Sequence, residues 1–380
     1  MKKRNKFIVI GIIVLVMVII TGIWYNTSHQ KDGTIKIGAT LALSGKYTYI
    51  GQQELNGLIM AAEEINNNGG INGRKLQVIA EDNKGDATEA VNNINKLINV
   101  DNSEVIFSAF THVTNAIKKT VFDNKKILFY ASTIPDIARE NKYAFRDYYD
   151  ATDNGKAIAD VVNQQGHKKV AFLTEVSDQC IQYEQGFLEE ASKLGINVTT
   201  REQYQTTETD LKTNLLKLNL KNVDALVVCS WRHEPILMKQ LKELNSINVP
   251  TFHWVALLLP ASDTLEMRQL FEENGAISSW YGLSEVPDKK IQVNFIEKYK
   301  QKYNILPTAD AVYTYDDLYV ITNALKTCKG KIGDKDCIAT QILSIKYDGV
   351  GGYLKFDTDG VSKRDVLLIK VVNAKWEELN

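Results

Sequence analysis

The pair Gly45-Lys46, within "LALSGKYTYIGQQELNG", is the pattern in this 380-residue chain that most suggests chemistry. A phosphate-binding loop of the Walker type needs G-x-x-x-x-G-K followed by Ser or Thr, so that backbone N–H groups wrap the phosphates and the hydroxyl reaches magnesium. Here Tyr47 follows the lysine, and Thr40 stands where the first glycine is required. Ser44-Gly45 to Gly51 also lacks the G-x-G-x-x-G spacing of a dinucleotide loop. Leu43-Ser44-Gly45 is not the G-x-S-x-G elbow of a nucleophilic serine. The five histidines, His29, His112, His167, His233 and His253, form no H-E-x-x-H or H-x-H pair, and the four cysteines have no C-x-x-C spacing. The expectation is therefore no catalytic residue, no metal and no cofactor.

What remains are loops rich in small hydroxyls and aromatics: "SAFTHVT", "YASTIP", "DQCIQYEQG" and "CSWRHEP". Hydroxyls and unpaired N–H groups at helix starts suit a carboxylate, because the helix dipole favours negative charge there. Aromatics supply flat apolar walls. Any one of these residues serves equally well as a cap or core residue; four such loops in equivalent positions argue for a site.

The elements that would carry these loops follow a regular rhythm. "IKIGATLAL", "KLQVIAED", "EVIFSAF" and "KILFYAS" are short apolar runs separated by amphipathic segments; Leu55, Leu58, Ile59, Ala62 and Ile65, for example, form one helical stripe. That is a βαβαβ series, hence a parallel sheet with helices on both faces. A second series begins after "FRDYYDATDNG", with strands "KKVAFLTEV", "INVTTREQY", "VDALVVCS" and "VPTFHWVAL". Two long helical patterns follow, at 289–303 and 309–327, and the last stretch, from "GGYLKF" onward, reads as a hairpin. Two doubly wound α/β lobes leave a cleft at the carboxyl ends of their strands, where such folds bind ligands.

Charge and the N-terminus bound the partners and the compartment. Lys+Arg 45 against Asp+Glu 46 gives a formal net charge of −1, which argues against nucleic acid. Lys2, Lys3, Arg4 and Lys6 precede an uncharged run, residues 7–25, about long enough to cross a bilayer. Residues 1–30 thus read as a membrane anchor or signal segment, with run length and the bulky residues of "IITGIWYNTSHQ" favouring an uncleaved single-pass anchor and an extracytoplasmic folded domain. In that oxidising compartment Cys328 and Cys337, bracketing "KGKIGDKD", are a candidate short-loop disulfide, while Cys180 and Cys229 read as buried residues of apolar surroundings.

Ser44-Gly45, Gly51, Gly57 and the run Gly69-Gly70-Ile71-Asn72-Gly73 carry a resemblance. Together with "YEQGFLEEASKLG", "YTYDDLYVITNAL" and "YDGVGGYLKFDTDGV", they make the chain from Thr34 onward resemble the leucine/isoleucine/valine-binding protein family, substrate-binding proteins of ABC transporters with the periplasmic-binding-protein type I fold. The resemblance implies two Rossmann-like lobes joined by three hinge crossovers, near 145–152, 277–287 and 347–352. Lobe 1 would comprise 34–147 plus 283–350, and lobe 2 148–282 plus 351–380. A small amino-acid-like or organic-acid solute would bind between them, its carboxylate held by Thr111, Ser132 and Thr133. Ile50, Tyr183 and Trp231 would form the walls. The family's amino-acid binders place an acid after the strand matching "PTFHWVALLLP"; here Val255, Ala256 and Leu257 stand there, with Ala256 at the ligand. An ammonium-bearing ligand would then need Glu175, Asp178 or Glu234. The resemblance implies a monomer working with an ABC permease, the alternative being a membrane-anchored sensing domain that acts through a signalling partner.

Overall fold

The computed structural model describes residues 33–132, 135–230, 233–254, 263–280 and 290–379. Lobe 1 opens with β1 (Ile35–Leu41), α1 (Thr48–Asn67), β2 (Leu76–Asp82), α2 (Ala87–Asn99), β3 (Val105–Ala109), α3 (Thr111–Asp123), β4 (Ile127–Ala131), α4 (Asp136–Glu140) and β5 (Ala144–Arg146). Its five strands are all parallel, in the order β2-β1-β3-β4-β5. The near-continuous apolar character of β1 and β3 is what a strand covered by helices on both faces requires. Asp86 starts α2 by accepting from the Thr88 and Glu89 backbone N–H groups.

Lobe 2 follows with α5 (Ala151–Gln164), β6 (Lys169–Glu175), α6 (Asp178–Leu194), β7 (Asn197–Tyr204), α7 (Lys212–Lys217), β8 (Ala225–Cys229), α8 (Glu234–Glu243), β9 (Thr251–Trp254), α9 (Leu265–Asn274) and β10 (Ile277–Trp280). The chain then returns to lobe 1 for α10 (Lys290–Tyr303), α11 (Ala309–Thr327) and α12 (Lys335–Ser344). It continues through β11 (Tyr347–Gly349), β12 (Gly352–Phe356) and β13 (Ser362–Lys363), and ends in lobe 2 with β14 (Leu367–Val372) and β15 (Lys375–Glu378). The second sheet runs β15-β14-β10-β9-β8-β6-β7, parallel from β7 to β10 and antiparallel beyond. Each sheet has a hydrophobic core on either face. Helix α11 seats on α1 so closely that a Cβ on Gly57 would lie 2.1 Å from the Ala311 carbonyl oxygen, which is why glycine stands there.

Two expectations change. Residues 351–363 belong to lobe 1 and not lobe 2: Leu354 and Phe356 enter the lobe 1 core, with Phe356 edge-on to Phe129 and Phe145. Strand β12 pairs with β11 and β13, so the third crossover falls after Lys363 and not at 347–352. The terminal hairpin is β14–β15, turned by Asn373 and Ala374, both at positive φ (52° and 57°), as a tight primed turn demands. The buried Cys180 and Cys229 form a disulfide, alongside the pair Cys328–Cys337. Residues 281–287 of the expected second crossover and the N-terminal run 7–25 lie outside the described residues, among which no helix is long and apolar enough to cross a membrane.

Candidate functional site

A cleft of about 550 Å³ opens between the lobes. Its walls come from the carboxyl ends of strands: Lys46, Tyr47, Ile50 and Glu54 after β1; Phe110, Thr111 and His112 after β3; and Ala131 and Ser132 at the end of β4. Glu175, Ser177, Asp178 and Gln179 follow β6, Thr206 and Thr207 follow β7, His233 follows β8, and Tyr148 comes from the first crossover. Strand order explains the location. In lobe 1 the direction of winding reverses between β1 and β3, and in lobe 2 between β6 and β8, so the loops there diverge to opposite faces and leave a crevice.

The lobe 1 side is built to take an anion. Phe110 adopts φ +63° directly before α3 and makes no side-chain cap. The first-turn N–H groups of this 13-residue helix start beside two hydroxyls, Thr111 Oγ1 and Ser132 Oγ, 2.6 Å apart. Behind them the buried Arg146 donates through Nε to the Ser132 carbonyl oxygen (2.5 Å) and through Nη2 to that of Tyr149 (2.7 Å), tying this loop to the first crossover. Tyr47 stacks obliquely on Phe110, ring centroids 4.7 Å apart, and with Ile50 gives the apolar wall. Lys46 is at the exposed rim, its ammonium 5.2 Å from the Tyr47 ring. His112 is turned to the Gly85 carbonyl oxygen (2.9 Å). Ser44, with its neighbour Gly45 at φ +80°, shapes the opening turn by donating to Asp82 (2.5 Å).

The lobe 2 side carries acids. Glu175 Oε2 faces His233 Nδ1 at 3.3 Å and accepts from the Tyr204 hydroxyl at 3.4 Å. The other ring nitrogen, His233 Nε2, faces the Glu208 carbonyl oxygen at 2.9 Å. Both nitrogens thus meet acceptors, and the Glu175 carboxylate, outweighing burial, lifts the His233 pKa above its ordinary value. Asp178 lies in the first turn of α6 at the cleft wall. Glu234 is behind the wall, and burial pushes its pKa to about 8, so it is largely uncharged at neutral pH. Glu54 is held far above the usual carboxylate range by burial and by nearby Asp310.

Of the residues singled out in the sequence, the structure brings Ile50, Thr111 and Ser132 together on the lobe 1 wall. Thr133, Trp231 and Ala256 lie outside the described residues. Tyr183 is not brought to the cleft. Helix α6 begins at Asp178, capped by Ser177, so Tyr183 is more than a turn inside it, fully buried and stacked on Trp254 at 5.9 Å. Gln179 and Asp178 take the place expected for that aromatic. Of the three substitute acids, Glu175 and Asp178 face the cleft and Glu234 does not. Phe110, Tyr148 and Arg146 have no sequence signal beyond their neighbourhood, whereas Thr206-Thr207 share the strand-end hydroxyl pattern of the other loops. Among the described residues no group of His, Cys, Asp or Glu is placed to hold a metal ion.

Comparison with known proteins agrees with this architecture. The sequence profile of a family described as "Periplasmic binding protein" matches residues 34–375. Leu/Ile/Val-binding protein homolog 7 of Brucella melitensis is 23% identical, over 90% of this chain and 89% of that protein. Among solved structures, the branched-chain amino acid transporter substrate-binding protein LivJ of Streptococcus pneumoniae, in complex with isoleucine, superposes with a TM-score of 0.74 at 24% identity, covering 91% of this chain and 99% of that one. A solute-binding protein of an ABC transporter from R. palustris, in complex with benzoate, gives 0.74 at 17% identity over 91% and 96%.

Proposed function

The chain belongs to the periplasmic binding protein family, and from that premise we propose that it is the solute-binding component of an ABC uptake system, closing on a small carboxylate between its lobes. The family is one of solute-binding proteins, not enzymes, and its domain works outside the cytoplasm. The observation that carries the proposal is the start of α3: helix N–H groups and the Thr111–Ser132 hydroxyl pair converge on one point of the cleft, flanked by aromatic rings. The ligands of the two solved relatives, isoleucine and benzoate, share a carboxylate and differ in the amine. Glu175 and Asp178 supply the acid that an amine would need, in place of the one missing after β9, so an amino-acid-like or organic-acid ligand suits the cleft.

In this reading the carboxylate binds lobe 1 first. Contacts from the lobe 2 loops then stabilise a closed form by rotation about the crossovers, and a permease recognises that form. The run 7–25 acts as an uncleaved anchor that keeps a monomeric domain close to the permease and raises their effective concentration.

Thermal-shift titration of the full chain in detergent against amino acids and aromatic acids tests the proposal: one carboxylate class should raise the melting temperature saturably. Thr111→Ala and Ser132→Ala should each weaken that ligand roughly 10- to 100-fold, as loss of a hydrogen bond to a charged group does. Absence of any stabilising carboxylate, or wild-type affinity in both variants, would refute it.

A further inference from the structure

The Cys180–Cys229 disulfide joins the two sides of the lobe 2 crevice. Cys229 is the last residue of β8, and Cys180 lies in the first turn of α6, which follows β6. These are the two strands between which the winding of the sheet reverses. Their helices therefore leave in opposite directions. Cys180, Tyr183 and Phe187 of α6 bury in one core of lobe 2, and Leu237, Met238 and Leu241 of α8 in the other. The two helices therefore share no core, and the α6 side meets the end of β8 in one of the two cores, at Cys180 and Cys229. Yet the loops must be fixed, because Glu175, Asp178 and Gln179 reach the cleft from one and His233 from the other, and Glu175 and His233 meet across the gap at 3.3 Å.

We propose that the Cys180–Cys229 disulfide is a positioning pair for the ligand-facing wall of lobe 2, holding the first turn of α6 and the start of α8 in the register that brings His233 onto Glu175. The remainder of α6 needs no such help. Its later turns are locked against α5, where a Cβ on Gly155 would lie 2.1 Å from the Tyr183 carbonyl oxygen. The first turn is held by the Ser177 cap, whose Oγ accepts from Cys180 N at 3.3 Å, and by the disulfide itself. His233 Nε2 has a second anchor in the Glu208 carbonyl oxygen, and the His233 backbone N–H donates to Ser230 Oγ (3.0 Å). Cys229 is the residue just before that serine, so the disulfide sets the point from which this short loop departs. Cross-linking residues 49 apart also restricts the unfolded chain, and a purely structural disulfide would act only through overall stability. The Cys328–Cys337 pair, away from the cleft in lobe 1, is the natural control.

The test compares Cys180→Ala/Cys229→Val, which keeps the site apolar, with Cys328→Ala/Cys337→Ala. In wild type the His233 ring signal should titrate above the ordinary imidazole pKa of about 6.5. In the first variant it should fall back towards that value, and hydrogen exchange should quicken at residues 177–180 and 233–236 while 185–194 stay protected. The second variant should leave both readouts at their wild-type values. Unchanged His233 titration and exchange in the first variant would overturn the proposal. So would loss of protection along the whole of α6 and β8, or failure to fold in both this variant and Cys180→Ala/Cys229→Ala, since either makes the disulfide a support of the lobe as a whole. The consequence for binding rests on reading the cleft as a solute site: L-isoleucine or benzoate, whichever stabilises wild type, should bind the first variant roughly tenfold more weakly. If neither stabilises wild type, that reading fails, while the His233 and exchange readouts still decide the role of the disulfide.

Discussion

Tyr183 and Asp310 are polar groups at positions where burial governs behaviour. The Tyr183 hydroxyl is buried, its ring packed on Phe172 and Trp254, and has no hydrogen-bond partner among the described residues. Tyr183→Phe should therefore leave ligand affinity unchanged and be neutral to stabilising by about 1 kcal/mol in urea denaturation, because it removes an unsatisfied group. A loss of affinity would return Tyr183 to the site. Asp310, in the first turn of α11, has its pKa raised by burial from 3.8 to about 6. The folded state thus holds this proton more tightly than the unfolded chain. The resulting stability is fully present below about pH 4 and is lost as pH rises through about 6. Asp310→Asn keeps an acceptor for Thr308 Oγ1 and should exceed wild-type stability by on the order of 2 kcal/mol at pH 8, with no gain near pH 4. A difference independent of pH would contradict this. At this scale the sequence showed which residue types cluster after strands. It did not show which way each points: Ser177 capping α6 turns Tyr183 inward and leaves Asp178 and Gln179 to face the cleft, a choice of one helical turn.

Among the elements, α5 and α6 pack backbone to backbone in lobe 2, and Gly155 permits it. Gly155→Ala would drive a methyl group into the Tyr183 carbonyl oxygen and the Phe187 amide nitrogen, 2.1 and 2.7 Å away. The expected cost is about 1–3 kcal/mol of stability, measured as a lower urea midpoint, with exchange quickening along α6 more than in lobe 1. An unchanged midpoint would show that the helices can slide apart freely. The βαβ rhythm was legible because each apolar run is short and each helix carries a one-sided stripe. The partner of a strand is not written in its own alternation. Residues 352–356 read correctly as extended chain, but their pairing with β11 and β13, and hence their lobe, depends on Phe356 finding Phe129 and Phe145 more than 200 residues earlier in the chain.

For the whole molecule, Arg364 joins the crossovers. It holds Asp147 with two parallel bonds, Nε to Oδ1 at 2.9 Å and Nη2 to Oδ2 at 2.6 Å, and donates from Nη1 to the Gly351 carbonyl oxygen at 3.1 Å. Its guanidinium lies 4.7 Å from the Tyr313 ring. Burial works against the Asp147 charge, but Arg364 outweighs it and keeps the carboxyl below its ordinary range. One residue of the first crossover is thereby clasped to one of the third, with both side chains buried. Arg364→Met should cost about 3–5 kcal/mol of stability in denaturant unfolding, since it strands a buried carboxylate. A cost under about 1 kcal/mol would mean the pair contributes little to the hinge. Nothing in "SKRDV" marks this arginine in the sequence, because its partner lies 217 residues away.

Strand β1 runs towards the cleft, so it starts at the opposite end of its sheet, where Arg74 donates from Nε to the Gly33 carbonyl oxygen at 2.8 Å. Gly33, the first described residue, therefore stands at the pole of lobe 1 away from the cleft. The last strand, β15, ends in the other lobe. Under the proposed reading of residues 7–25 as an anchor, a tether at the lobe 1 pole would act as a stalk beneath one jaw of a clamp, leaving the second jaw to swing over a solute without the stalk being twisted or pulled.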